Sequence, residues 1–292
     1  MSLIPYSGPW TRAQAAHLLR RTLLGPTHQQ ITYFSGLTMN DAVTQLLAIS
    51  PVAPPLAYDA GETVVAQGQP WVNALYPANP VSNQLCEMAR VKSLSAWLMR
   101  NMNYETSNIG QKMLFFWHNH FGVSFSSDAR AAYTYFELLR SNGLGNIKQL
   151  VKDVTLDPNM LIFLNGNTNS EAHPNENYSR ELLELFTIGK GEQIAPGDDV
   201  ASGAKILSGY VVQGIRSSSV TSASATYFNA LHDSSTKTLS YHFNNATVAK
   251  IAINGVNSCP YGLFPLAPTF ALQSPHCTIL PTNWDVLYGG KE

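Results

Sequence analysis

A chain of 292 residues with 45% apolar side chains and a formal net charge of −1 can bury a substantial core and is too apolar to stay disordered. Charged residues make up only 13%, against roughly 25% in ordinary domains, and no basic stripe is present, which argues against nucleic acid as a partner. No apolar run approaches the roughly 18–20 residues of a membrane span, and the opening MSLIPYSGPW lacks the basic-then-apolar pattern of a secretory signal.

The chain is therefore expected to have no membrane span, and to be cytoplasmic unless a signal is missing from it. Its acidity is uneven. Residues 1–150 carry ten Lys/Arg against seven Asp/Glu, residues 151–292 eight against twelve, and seven of those twelve acids lie between Glu171 and Asp199.

TRAQAAHLLRRTLLGPT opens the helical pattern. Thr11 is placed to cap, Gln14 follows at capping-box spacing, Ala15, Leu18, Leu19 and Leu23 recur at helical intervals, and Gly25-Pro26 stops the run. MNDAVTQLLAI predicts a second short helix, and residues 50–80, rich in Pro, Ala and Gly, a long ordered or semi-ordered loop. From Asn83 to about His120 the pattern is helical with a break near Asn103–Asn108. Its second half ends in KMLFFWHNHFG, apolar on every side, which predicts a buried helix.

ARAAYTYFELLRSNG and NIKQLVKDVTLDP predict amphipathic helices closed by Gly143 and by Asp157-Pro158; DDVASGAKILSGY predicts another, capped by Asp198 or Asp199. After Tyr210 the chain turns β-branched and aromatic without helical period, which predicts a small strand or hairpin element. Residues 251–292 hold five prolines and three charged residues and show no period.

The acidic block HPNENYSRELLELFTIGKG, residues 173–191, predicts one helix. Pro174 suits its first turn, which places His173 at the cap and Glu176 at the third helical position, and Gly189 ends it. At ~100° per residue, Tyr178, Leu182, Leu183, Leu185 and Phe186 share one side and Glu176, Asn177, Arg180, Glu181, Glu184 and Thr187 the other. Arg180 is four residues from both Glu176 and Glu184, the spacing at which helix side chains meet. That face is either a solvated, ion-paired surface or the wall of a cleft.

Two further groups carry titratable side chains. In FWHNHF, His118 and His120 diverge on a helix and can share a metal only if the helix ends there, as Gly122 suggests; otherwise one bonds a helix-end carbonyl and the other packs on the core. LHDSSTKTL places His232, Asp233 and Lys237 at the expected tip of a hairpin, a metal-site element or simple turn chemistry. NGNTN reads as turn chemistry. There is no Walker loop, dinucleotide glycine fingerprint or G-x-S-x-G elbow. Cys86 reads as a small core residue, and Cys259 and Cys277 could pair in an oxidising compartment.

Four stretches together, AAHLLRRTLLGPT, KMLFFWHNHFGVS, DPNMLIFLNGNTNSEAHPNENYSRELLELFTIGKG and LHDSSTKTL, resemble the bacterial family known as domain of unknown function 1800 over roughly residues 10–245. The resemblance implies a mostly helical fold and export to the periplasm or the outside of the cell, often with an exported partner protein of a second family; it implies no established activity. Its motif positions fall here on His118, His120, Pro174, Asn175, Glu176, Asn177, Tyr178, Arg180, Glu181, Glu184, Gly189, His232, Asp233 and Lys237. Family members continue through more helices, so the Pro-rich end here is expected to be a truncated or altered one, with a break near Asn257.

The expected fold is mainly α, a multi-helix globular domain over residues 1–250 with a small β-hairpin element near the C-terminal third, followed by an irregular tail, 251–292. The leading functional expectation is a metal-dependent hydrolase of the cell envelope. His118, His120, Glu176, His232 and Asp233 would gather around a divalent cation, Glu181 or Glu184 would act as general base, Arg180 would orient an anion, and Asn175, Asn177 and Lys237 would support metal or substrate. The rival is a non-enzymatic binding or assembly protein whose polar motif is a structural network. A third reading, a carbohydrate-binding surface, would use Trp71, Tyr76 and Tyr133 as exposed aromatics.

Overall fold

The computed structural model describes residues 6–104, 107–124, 127–189, 198–240, 243 and 245–248. The tail 251–292, with Cys259 and Cys277, lies outside them. Among the described residues the fold is mainly α, with ten helices and two two-stranded antiparallel sheets.

Helices α1 (Arg12–Thr22), α2 (His28–Ser35) and α3 (Met39–Leu47) form their own cluster around Ala15, Leu19, Leu23, Phe34, Ala42 and Leu46. Thr11 caps α1 through the Ala13 N–H, but the Gln14 carboxamide is held by the Thr11 hydroxyl instead of its backbone. The reciprocal capping box forms at α2, between Thr27 and Gln30.

The main core gathers α4 (Pro80–Asn103), α5 (Gly110–Phe121), α6 (Ala129–Asn142), α7 (Ile147–Thr155), α8 (Pro158–Phe163) and α9 (Glu176–Glu181) around residues such as Leu94, Leu114, Tyr135, Met160, Tyr178 and Leu182. Contrary to the buried helix expected of KMLFFWHNHFG, α5 buries only part of its circumference, and Phe115 and Phe116 face solvent. Gly122 ends it in the left-handed region, φ 64°, returning its N–H to the His118 carbonyl.

The long loop before α4 is ordered by what it buries. Trp71 and Tyr76 are buried, not the exposed pair a carbohydrate surface requires, and Trp71 donates its indole N–H to Ser93 Oγ at 2.8 Å. The Tyr76 ring lies between two guanidinium groups, Arg90 at 4.2 Å and Arg130 at 4.5 Å from its centroid. Arg90 pairs with Glu62 at 2.6 Å and donates to the Ala74 and Leu75 carbonyls; Arg130 pairs with Asp128 at 2.8 Å and donates to the Ala74, Gly214 and Val220 carbonyls. The Tyr76 hydroxyl meets both Glu87 and Asp128, and burial, above all, pushes the Glu87 carboxyl above its ordinary range.

Beyond α9, α10 (Asp198–Ile206) packs back across it, and two hairpins follow: β1 (Tyr210–Gln213) with β2 (Ser224–Tyr227), and β3 (Lys237–Thr238) with β4 (Thr247–Val248). The α9–α10 crossing is close because Ser179 donates to the Val200 carbonyl at 2.8 Å and lies over Gly203, where a Cβ would overlap the Ser179 hydroxyl.

Two stability predictions follow from these contacts. Gly203→Ala is expected to cost about 1–3 kcal/mol through overpacking, and Ser179→Ala in the same chain to recover part of it; urea unfolding of the single and double variants checks this. The second concerns Asp157, which caps α8 through the Asn159 and Met160 N–H groups and whose burial pushes its carboxyl up to about 7 in spite of those bonds. Since the folded value exceeds the unfolded one (~3.9), the unfolded chain ionises first, and stability falls as pH rises from about 4 to about 7 and is level above that. Asp157→Asn keeps an acceptor for the cap and is expected to flatten this stretch of the curve. Denaturation of both proteins across that pH range reads the difference.

Candidate functional site

The start of the motif helix is fixed by asparagines. Asn175, not His173, is the N-cap, accepting from the Asn177 N–H at 3.0 Å, so the helix begins at Glu176 and His173 and Pro174 precede it. The cause is Asn169, whose Oδ1 takes the Asn175 N–H at 2.9 Å and holds Asn175 extended. Asn169 is itself buried and donates to the Ala204 carbonyl at 2.7 Å. Asn175 and Asn177 donate to the Asn165 and Leu164 carbonyls, both at 3.2 Å. The NGNTN turn and the NEN stretch thus interlock, tying α8, α9 and α10 together.

On the outer face Arg180 bridges Glu176 at 3.0 Å and Glu184 at 3.2 Å, and its side chain is 45% exposed. Glu181 is half-buried beside them. After Glu181 the helix widens into a π turn, Leu182–Thr187, with Ile188 bonding back to the Leu183 carbonyl and Thr187 Oγ1 to the Leu182 carbonyl. The wider turn shifts the α-helical phase, so Phe186 is buried and Leu185, assigned to the buried side by the 3.6-residue period, faces solvent.

The far end of this helix meets α5. His120 Nε2 lies 2.9 Å from the Phe186 carbonyl, a group the helix end leaves open. His118 points elsewhere, edge-on to Phe136 and Tyr135 at centroid distances of 5.0 and 6.0 Å. Burial pushes its imidazole below the ordinary range, and its Nδ1 is buried with no hydrogen-bond partner.

His232 and Asp233 lie in the connection between β2 and β3 and Lys237 opens β3, so the segment is not a hairpin tip. It is placed there by Ser208: His232 Nδ1 lies 2.9 Å from the Ser208 carbonyl, and the Asp233 N–H donates to Ser208 Oγ at 2.9 Å. Lys237 is buried, donating to the Asp233 carbonyl at 2.6 Å with its carboxylate at 3.3 Å. Burial draws the Asp233 carboxyl upward, but hydrogen bonds from Ser235 and the charge and hydrogen bond of Lys237 outweigh it and hold the group below its ordinary range.

These residues do not form the single cluster foreseen for a cation. His120 sits at the C-terminal end of the motif helix, and Glu176 at its N-terminal end, on the solvated face. At ~1.5 Å rise per residue, and less through the π turn, Glu176 and Phe186 are up to roughly 15 Å apart along the axis. His232 and Asp233 are held against Ser208, behind the asparagine turn. Among the described residues no group of three or more His, Cys, Asp or Glu side chains is arranged to hold a metal ion.

What sequence reasoning missed are Asn165, Asn169 and Ser208; Asp199, expected as a possible cap of α10, lies inside that helix and accepts from the Ser240 N–H and hydroxyl at 2.7 and 2.6 Å. The Asn-rich spelling of NGNTN was the available signal, and it reads equally well as an ordinary turn.

The two classes of motif contact differ in expected cost. Asn169→Ala leaves the Asn175 N–H and the Ala204 carbonyl without their partner and is expected to cost about 2–4 kcal/mol. Arg180→Ala removes only exposed pairs and is expected to cost under about 1 kcal/mol. Thermal melts of the two variants make the comparison.

No match to the chain was found among curated proteins or among solved structures. A family model described as "Protein of unknown function (DUF1800)" matches residues 17–255, a span that holds the asparagine turn, both histidine segments and the whole motif helix. The chain is a member of the DUF1800 family.

Proposed function

We propose that the chain is a non-enzymatic binding or assembly protein, in which the polar motif is a structural network that fixes helix packing. The observation that carries this reading is where the motif side chains go. Asn175, Asn177, His120 and His232 each reach a backbone carbonyl of another segment or turn, Lys237 closes its own segment on the Asp233 carbonyl, and Arg180 is occupied by Glu176 and Glu184. A network satisfied in this way rigidifies a fold without any reacting group. Its place, on the family likeness, is the cell envelope, with an exported protein as the partner bound.

One observation favours the second reading, a metal-dependent hydrolase with Glu181 or Glu184 as base and Arg180 as anion holder. His118 keeps a neutral imidazole whose buried Nδ1 has no protein partner, the kind of group a general acid or base or a metal ligand would use.

The two readings separate in one experiment. The protein is purified without chelator and subjected to elemental analysis beside a His118→Ala/His232→Ala variant. Under the structural reading neither sample holds stoichiometric divalent metal, and the variant melts earlier, having lost about 1–3 kcal/mol, chiefly at His232. A stoichiometric metal in the native protein that disappears in the variant would overturn it in favour of the hydrolase.

A further inference from the structure

Helix α5 carries apolar side chains on more than one side, and only one side is covered. Leu114 and Phe121 face the core, while Phe115 is 48% and Phe116 54% exposed. Phe116 stands edge-on to Trp117 with ring centroids 4.9 Å apart, and Trp117 donates its indole N–H to the Gly143 carbonyl at 2.8 Å. That contact carries the surface onto the next loop. There Leu144 is 43% exposed between Gly143 and Gly145, and Ile147 is 51% exposed at the start of α7.

The polar groups around this rim follow one pattern. At the loop tip the Gly145 N–H returns to the Asn142 carbonyl at 2.9 Å, and the Gly143 carbonyl is taken by Trp117, the internal pairing that a segment entering an apolar phase requires. Lys112 stands one helical turn before Phe116, and Lys148 follows Ile147. Residues 107–124 and 141–152 together hold three lysines and no acid. The acids nearest these stretches in sequence are Glu105 and Asp153, the latter turned onto Gln149 and Asn142.

We propose that this face docks onto an anionic lipid surface, with Phe116, Leu144 and Ile147 entering the headgroup layer and Lys112 and Lys148 meeting lipid phosphates. Exposed aromatic and aliphatic side chains flanked by lysines suit such a surface. A protein partner would ordinarily meet a rim of mixed charge and hydrogen bonds. The attachment is peripheral: no helix among the described residues is long and apolar enough to cross a membrane. The proposal does not depend on whether the polar motif is structural or catalytic.

The test is co-sedimentation of the full chain with vesicles of phosphatidylcholine alone and of an equal mixture with phosphatidylglycerol. Sedimentation velocity in the absence of lipid runs in parallel. Binding is expected only to the anionic vesicles and is expected to weaken with added salt. Lys112→Glu/Lys148→Glu is expected to weaken it at least ~10-fold, and Phe116→Ser/Leu144→Ser to abolish it. Both variants should keep the native circular dichroism spectrum and melting temperature, because the side chains are at the surface. Equal binding to both vesicle types, no binding to either, or binding unchanged in folded variants would overturn the proposal. So would a stable dimer that Phe116→Ser/Leu144→Ser converts to monomer, which would make the face an interface between copies of the chain.

Discussion

The buried Tyr76 ring, held between the Arg90 and Arg130 guanidinium groups, is the contact on which the architecture turns. Two cations this close are tolerable in a core only because Glu62 and Asp128 neutralise them and because their remaining N–H groups find carbonyls at Ala74, Leu75, Gly214 and Val220. Those partners come from three places, the loop before α4, the turn before α6 and the loop joining β1 to β2, while the two cations stand on α4 and α6. Removing any one would strand a buried charge, so loop, helices and hairpin are fixed relative to one another. Without that loop and its Trp71, Leu94 and Trp97 would lose part of their cover.

The motif region obeys a different constraint. The stretch from Asp157 to Val248 is made of short pieces: α8 and α9 have six helical residues each, the π turn six more, and the strands four or two. Every end leaves N–H or C=O groups without a partner inside the element. Asp157, Asn165, Asn169, Asn175, Asn177, Asp199 and Ser208 supply those partners. The last exposed face, Glu176–Arg180–Glu184, makes only ion pairs along its own helix.

Much of this could be read in the chain. The helix break near residue 103 is legible from its run of Asn, Thr and Ser, and those at Gly122 and Pro158, with the end of the motif helix at Gly189, because glycine and proline act locally. The capping of that helix was not legible. Pro174 pointed to a start that Asn169, a side chain from another turn, delays to Glu176. Leu185 was misplaced for a related reason, since a π turn changes the angular step that any fixed period assumes. Trp71 and Tyr76 looked free because the cations that bury them lie on α4 and α6. Long-range pairing decided each case, and no single segment records it.

A block rich in His, Asn, Asp and Glu therefore has two physical origins that its spelling does not separate. Such side chains carry chemistry when they converge on a common point with lone pairs unoccupied, and they terminate backbone when each reaches a different N–H or C=O group. The geometry distinguishes the two by direction. Asn175 and Asn177 reach back to carbonyls of Asn165 and Leu164, Asn169 reaches across to Ala204, and His120 and His232 reach carbonyls at Phe186 and Ser208. These vectors diverge, as capping vectors must, because no two helix ends occupy one place. His118 is the exception, a neutral imidazole with an unpaired Nδ1 against Tyr135 and Phe136. Capping has no use for such a group, which is why the rival, catalytic reading rests on it.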